Sequence, residues 1–228
     1  QTACLKSNII PICSSLLNHS NEKLRRWVII CIGKICEDNY SIKQTLIRTC
    51  KIQDIFLSRI HDQIPENRAS VIYAIGKFIA CGTPIDDCEL DLALSLKEIG
   101  SDITPSVRRE FVVTLSHLIC VYEEKFKEVA LASAQQEVYD LDEEKRAELR
   151  EIVSSDFGRI WRVFYSLQYD PMPSISSASN QLVIRIHSLA ASELLKDSTL
   201  GESNPKVEAM HNFLLNVSNI SKSRKPGL

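Results

Sequence analysis

The sequence predicts an all-α chain, a solenoid of about four stacked helix pairs, and three observations predict it. One phrase recurs: "DQIPENRASVIYAIGKFI" from Asp62 and "DITPSVRREFVVTLSHLI" from Asp102, with "HSNEKLRRWVIICIGKIC" from His19 and "DPMPSISSASNQLVIRIH" from Asp170 as looser copies. The first three copies start 43 and 40 residues apart, a period that belongs to helix-pair repeats. Within the copies apolar residues recur at three and four, and no segment alternates apolar and polar strictly enough for a half-buried strand.

Each copy reads as the second helix of a pair. The aspartate ends the preceding connection and is expected to cap the new helix by accepting from its free N–H groups. Proline is tolerated in the first turn, where its missing N–H would have no partner. Val71, Ile72, Ile75, Phe78 and Ile79 then form a core-facing stripe, as do Phe111, Val112, Leu115, Leu118 and Ile119. Arg25, Arg68 and Arg108 share one offset and are expected to bond the aspartate or the carbonyls of an adjacent turn. Gly33, Gly76 and Ser116 place a small residue where a neighbouring helix can approach closely. The partner helices fall at about 5–17, 43–60, 88–100 and 155–169. The fold class is therefore an α-solenoid of HEAT/armadillo type over 1–194, with repeats at about 5–37, 43–80, 88–122 and 155–194.

The fourth copy starts 68 residues after the third. The extra length, 123–153, reads as a charged helical insertion: an extension of the third helix, a break near "YDLD", and a helix over 141–153 whose Glu143, Glu144 and Glu148 face Lys145, Arg146 and Arg150. Residues 195–228 read as a C-terminal extension with one weak helix, about 205–219, and a basic, frayed end.

Composition excludes several classes. With 44% hydrophobic and 25% charged residues the chain can bury a substantial core. A net charge of −2 leaves no broad basic field for nucleic acid, and no apolar run is long enough for membrane insertion. The eight cysteines contain no C-x-x-C pair, so zinc spacing is absent; they read as reduced, mostly buried hydrophobes in a cytoplasmic setting. His117 and Cys120 are one turn apart on a packed helix and lack the polar cleft that a nucleophile pair needs. No phosphate-cradling loop or hydrolase elbow is present, and Asp62, Asp102 and Asp170 stand a repeat layer apart, roughly 10 Å by helix spacing. No catalytic residue, cofactor or metal is expected. Trp27 and Trp161, each at the start of an apolar helix face, are expected in the core, with a protein-binding hot spot as the alternative. The Gln at position 1 points to a piece of a longer protein, in which Leu5, Ile9, Ile10 and Ile12 would be covered by an upstream repeat or a partner.

"LRRWVIICIGKICEDN" (Leu24–Asn39), "IPENRASVIYAIGKFI" (Ile64–Ile79), "SVRREFVVTLSHLICVYEEKF" (Ser106–Phe126) and "IWRVFYSLQYDPMPSI" (Ile160–Ile175) occur in that order. Together they closely resemble the HEAT-repeat region of the raptor family, the regulatory subunits of TOR kinase complex one. The most specific elements are "VRRE", "LSHL" and "YE..F" in the third block, and "IWRV" and "DP.P" in the fourth; the resemblance extends to about residue 190. It implies a non-enzymatic scaffold that docks TOR kinase and Rag-type small GTPases, recruited through them to the lysosomal or vacuolar surface. It also implies flanking domains in the same longer chain, a caspase-like one before and a WD40 propeller after. By the same resemblance Arg48 lies at the GTPase-facing edge, although "TLIRTC" keeps only the arginine of the family's W-x-G-V-R-D tract, and Asp86 or Asp87 in "CGTPIDDCEL" matches a loop aspartate of the family. The alternative is a generic adaptor of the transport class, karyopherin-like or coat-adaptor-like, which would carry acidic or Asn/Trp ladders on its inner helices; none is found.

Overall fold

The computed structural model describes residues 9–37, 39–79, 87–138, 140–197 and 209–214. Every regular element among the described residues is helical, and none of these helices is long and apolar enough to cross a membrane. The chain divides into two compact units, Gln1–Val121 and Tyr122–Leu228.

The first unit holds α1 (Ile9–Leu16), α2 (Glu22–Cys36), α3 (Tyr40–Cys50), α4 (Ile52–Leu57), α5 (Pro65–Ile79), α6 (Asp87–Ser95, continued by a 3-10 turn Leu96–Ser101) and α7 (Pro105–Val121). The helix starts follow local chemistry. The side chain of Asn21 accepts from the N–H groups of Lys23 and Leu24 at 3.0 and 3.2 Å, and that of Asn39 accepts from Ile42 at 3.0 Å. Pro65 and Pro105 open α5 and α7, where the missing N–H costs nothing.

The second helices α2, α5 and α7 pack in chain order, with α5 between the other two. A helix flanked on both sides must be apolar around most of its girth. Accordingly α5 buries Val71, Ile72, Ala74, Ile75, Phe78 and Ile79, each Val, Ile or Phe side chain contributing about 1.5–3 kcal/mol. From the first-helix layer, Phe56 meets Phe78 edge-on with ring centroids 6.2 Å apart. Lys43 is buried, its ammonium 4.9 Å from the Phe78 centroid, where the ring's negative face offsets part of the charge's lost hydration.

Two sequence expectations change here. The helix predicted over 43–60 is two helices, α3 and α4, because Lys51 takes a left-handed conformation (φ 46°, ψ 49°) and its N–H returns to the Leu46 carbonyl. Trp27, expected in the core, is 65% exposed, whereas Trp161 is buried as expected. The positions equivalent to Trp27 in the next two copies are Ser70 and Glu110, so the repeat already marks this site as one that does not require an apolar side chain. Ile12 is also largely exposed, while Leu5 and the side chain of Ile10 lie outside the described residues.

The second unit holds α8 (Glu123–Val138), α9 (Glu143–Ser154), α10 (Asp156–Ser166, with a 3-10 turn Leu167–Tyr169), α11 (Pro173–Asp197) and a short helical stretch over 209–214. The chain over 105–138, expected as one extended helix, turns at Tyr122, whose carbonyl accepts the first bond of α8 from Phe126 at 3.1 Å. Helix α8 packs against α9, α10 and α11, burying Phe126, Val129, Ala130 and Ala134. A run of aromatic contacts crosses this core: Phe126 lies 5.5 Å from Phe157 and 6.1 Å from Trp161, and Trp161 lies 5.8 Å from His187. The ion pairs along α9, such as Arg150 to Glu143 at 3.0 Å, are exposed and worth a few tenths of a kcal/mol, about 0.3 each.

Candidate protein-docking surface

What aligns the second helices is a ladder of charged pairs built by the repeated aspartate and arginine. Arg68 grips Asp102 of the next copy with two parallel bonds, Nε to Oδ2 at 2.7 Å and Nη2 to Oδ1 at 3.0 Å. Its third nitrogen donates back to the Asp62 and Gln63 carbonyls at 2.9 and 3.3 Å. Arg25 repeats the arrangement one copy earlier, reaching Asp62 at 3.3 and 3.5 Å and the His19 and Ser20 carbonyls at 2.9 and 3.1 Å. Arg108, buried, donates to the Asp102 carbonyl at 2.6 Å. The arginine therefore does both things expected of it, and its acid partner belongs to the following copy.

The aspartate's role differs from a simple helix cap. Asp62 Oδ1 accepts from the Ile64 N–H at 3.0 Å, and Asp102 Oδ1 from Thr104 at 2.8 Å. Each acceptor thus closes a turn onto the residue just before the proline that opens the helix. His19 stands in for aspartate in the first copy, its Nδ1 accepting from the Asn21 N–H at 3.0 Å. Burial by itself would raise the Asp62 carboxyl; the Ile64 N–H, Arg25 and Asn67 outweigh it and hold the group below its ordinary value. Asp102 behaves alike, burial being outweighed by Arg68 and the Thr104 N–H.

Close backbone approach completes the stack. A Cβ on Gly33 would stand 2.9 Å from the Ala74 Cα, and one on Gly76 would stand 2.6 Å from Thr114 Oγ1. Registered in this way, the helices present one mixed face. Between them lies a shallow hollow of about 270 Å³ lined by Arg26 and Ile30 of α2, Glu66, Ala69 and Tyr73 of α5, and Ser106, Arg109 and Glu110 of α7, with Ser70 at its floor. Trp27 lies one turn before Ile30 on α2, and Val113 one turn after Arg109 on α7; both are exposed. Toward the C-terminal end of α2, Glu37 bonds Lys34 at 2.8 Å and also contacts Lys77, and both lysines lie over the Tyr73 ring, at 5.9 and 5.7 Å. The Lys34 and Lys77 bonds pull the Glu37 carboxyl down to about 2. On α7 burial, and after it the Lys77 charge, lowers His117 and favours its neutral form.

A face with an exposed tryptophan, a tyrosine flanked by cations, and charges of both signs suits the docking of polypeptide, since Trp, Tyr and Arg carry most interface energy. Among the described residues no three His, Cys, Asp or Glu side chains gather as a metal site would require. Arg48 lies apart from this hollow: it is exposed in the last turn of α3, beside Tyr40, Ser41, Gln44 and Thr45. Asp87 is the first residue of α6, and Asp86 lies outside the described residues.

Residues 4–212 match the family model of the sister chromatid cohesion protein PDS5. Among curated proteins, the chain is 30% identical over 236 residues to a raptor homologue of Dictyostelium discoideum, covering 90% of the chain and 16% of that protein. It is 26% identical over 236 residues to the target of rapamycin complex 1 subunit mip1 of Schizosaccharomyces pombe, covering 99% of the chain and 17% of that protein. The chain thus spans less than a fifth of these relatives. The crystal structure of Chaetomium thermophilum Raptor shares the fold, with a TM-score of 0.70 at 23% identity over 93% of this chain and 21% of that one. The chain belongs to the family that the PDS5 model describes, and by its curated relatives it is a raptor-family helical-repeat segment.

Proposed function

We propose that the chain is a non-enzymatic scaffold segment of a TOR complex 1 subunit, one that docks TOR kinase and Rag-type small GTPases. The observation that carries this reading is the likeness to raptor relatives across 90% and 99% of the chain, one of them a complex 1 subunit by name. A stack of repeats supports it physically, because each layer adds side chains to one continuous face whose geometry is held by the layers on either side. In this reading the α2–α5–α7 face, with Trp27 at its edge, contacts a protein partner, and Arg48 with Asp86 or Asp87 contacts the GTPase. Recruitment to a lysosomal or vacuolar surface then passes through those partners.

The experiment is a pull-down from cells with the full-length parent immobilised, comparing wild type with Arg48→Asp, Asp86→Ala/Asp87→Ala and Trp27→Ala. TOR kinase and the GTPases are expected with wild type. The first two variants should lose the GTPases and keep TOR, and Trp27→Ala should weaken one partner without loss of folded protein. Absence of TOR from the wild-type sample sinks the proposal. The matched family model's name supports a second reading, a part in sister chromatid cohesion, and recovery of chromosomal cohesion proteins in place of TOR would favour it.

A further inference from the structure

Helix α9 is held to the second unit differently from its neighbours. Leu149 is its one buried residue; Arg146, Ile152 and Val153 are half-buried, and the rest of the helix is exposed. Its charged side chains bond one another: Lys145 with Glu148 at 2.7 Å, and Glu143 with Arg146 at 3.3 Å and with Arg150 at 3.0 Å. Among the described residues, no α9 side chain makes a hydrogen bond or ion pair to α8, α10 or α11. Helices α8 and α11, by contrast, are joined by Lys127 with Glu193 at 2.7 Å and by Arg185 with Glu123 at 2.6 Å.

The apolar contact of α9 is loose as well. A hollow of about 450 Å³ separates it from α8, with Leu131, Ala132 and Gln135 on one side and Leu149 and Ile152 on the other. Val153 lines a second hollow, of about 380 Å³, together with Gln136, Trp161 and His187. Spaces of this size on both sides of a helix forfeit the close packing that normally fixes it. The two ends are unequal. At the C-terminal end the Ser155 hydroxyl donates to the Ile152 carbonyl at 2.6 Å and accepts from the Gly158 N–H at 3.2 Å, which ties α9 to the start of α10. At the N-terminal end α9 is preceded by irregular chain over 140–142, whose recorded side-chain bonds all run to α9 itself.

We propose that α9 is a strap that swings off α8 about Ser155 while α8, α10 and α11 stay folded. Its docked state rests on Leu149, with smaller help from Ile152 and Val153. Opening bares Leu131 and Ala132 on α8 and removes a wall from each hollow. The ion pairs within α9 do not resist this motion, because they travel with the helix. A segment with few buried apolar contacts and no polar tie to its neighbours belongs to the low-stability end of a fold, where opening is local.

The test is hydrogen exchange read by mass spectrometry on the full-length parent chain, with and without low concentrations of urea. Amides of α9 should exchange at least about tenfold faster than those of α8 and α11. Their rate should barely change with urea, because lifting one helix exposes little surface. Leu149→Ala should speed exchange in α9 by about tenfold or more and leave α8 and α11 unchanged. Ile152→Ala, at a half-buried position, should act in the same direction by a smaller factor, and it serves if Leu149→Ala does not fold. Exchange in α9 that matches α8 and α11 and rises with urea in step with them would overturn the proposal. So would an α9 that responds to neither substitution.

Discussion

Thr114 on α7 occupies the space that a side chain at Gly76 on α5 would need: a Cβ there would stand 2.6 Å from the Thr114 hydroxyl oxygen. That hydroxyl donates to the Ile72 carbonyl at 3.0 Å, a buried bond between neighbouring repeats. Gly76→Ala should therefore destabilise the first unit by about 1–3 kcal/mol through overpacking, although alanine is the better helix former by about 1 kcal/mol. Adding Thr114→Ala should recover part of the loss. Urea denaturation of both single variants and the double variant checks this; strictly additive effects would show that the two positions do not meet.

The Arg68–Asp102 pair is worth more than any of the exposed pairs on α9. Its side chains are only 14% and 9% exposed, and its geometry is bidentate. Arg68→Met leaves a largely buried carboxylate without its main partner and should cost on the order of 3 kcal/mol. Arg150→Met removes a pair exposed on both sides and should change stability by no more than about 0.5 kcal/mol. Thermal unfolding of the two variants side by side gives the comparison, and equal shifts would contradict the ladder's role.

Lys51 is the single described non-glycine residue with positive φ. A left-handed conformation costs an L side chain roughly 1–2 kcal/mol, which glycine does not incur. Lys51→Gly should thus be neutral or stabilising by up to about 1 kcal/mol after glycine's greater unfolded-state freedom is counted. The control is Lys77→Gly inside α5, where the same change should destabilise. Chemical denaturation decides it, and a clear loss with Lys51→Gly would rule out the turn.

Burial pushes His187 down from its ordinary 6.5 to about 4. Between those values the unfolded chain binds a proton that the folded chain refuses. The contribution of the neutral ring is therefore complete above pH 6.5, falls as pH drops through this window, and is gone below about pH 4. At about 1.4 kcal/mol per unit the whole effect is about 3 kcal/mol. Stability of wild type and His187→Phe measured between pH 7 and 4.5 should show a steeper decline in wild type. Parallel curves would assign the acid sensitivity to another group.

Much of the fold is legible because its determinants are local. Pro65 and Pro105 announce helix starts, the stripes from Val71 and Phe111 announce buried faces, and the equal offsets of Arg25, Arg68 and Arg108 announce a repeated bond. The break at Lys51 is not legible, since lysine is not a usual left-handed residue and the stretch around it carries no glycine, asparagine or proline. Trp27 misleads because size and hydrophobicity suggest a core that its face of α2 does not meet. Arg48, which the resemblance assigns to a partner-facing edge, sits in the last turn of α3 and does not line the α2–α5–α7 hollow.

The sequence by itself determined which residues share a helix face, where the proline-led helices begin, and that arginine and aspartate recur in step, because these follow from a 3.6-residue period and from groups within a few positions of one another. Tertiary structure alone decided that Arg68 reaches the aspartate 34 residues on, that Trp27 stays in solvent, and that Gln136 and His187, on helices α8 and α11, border one cavity. The physical reason is that periodicity specifies a face, whereas what that face meets depends on which other helices pack against it.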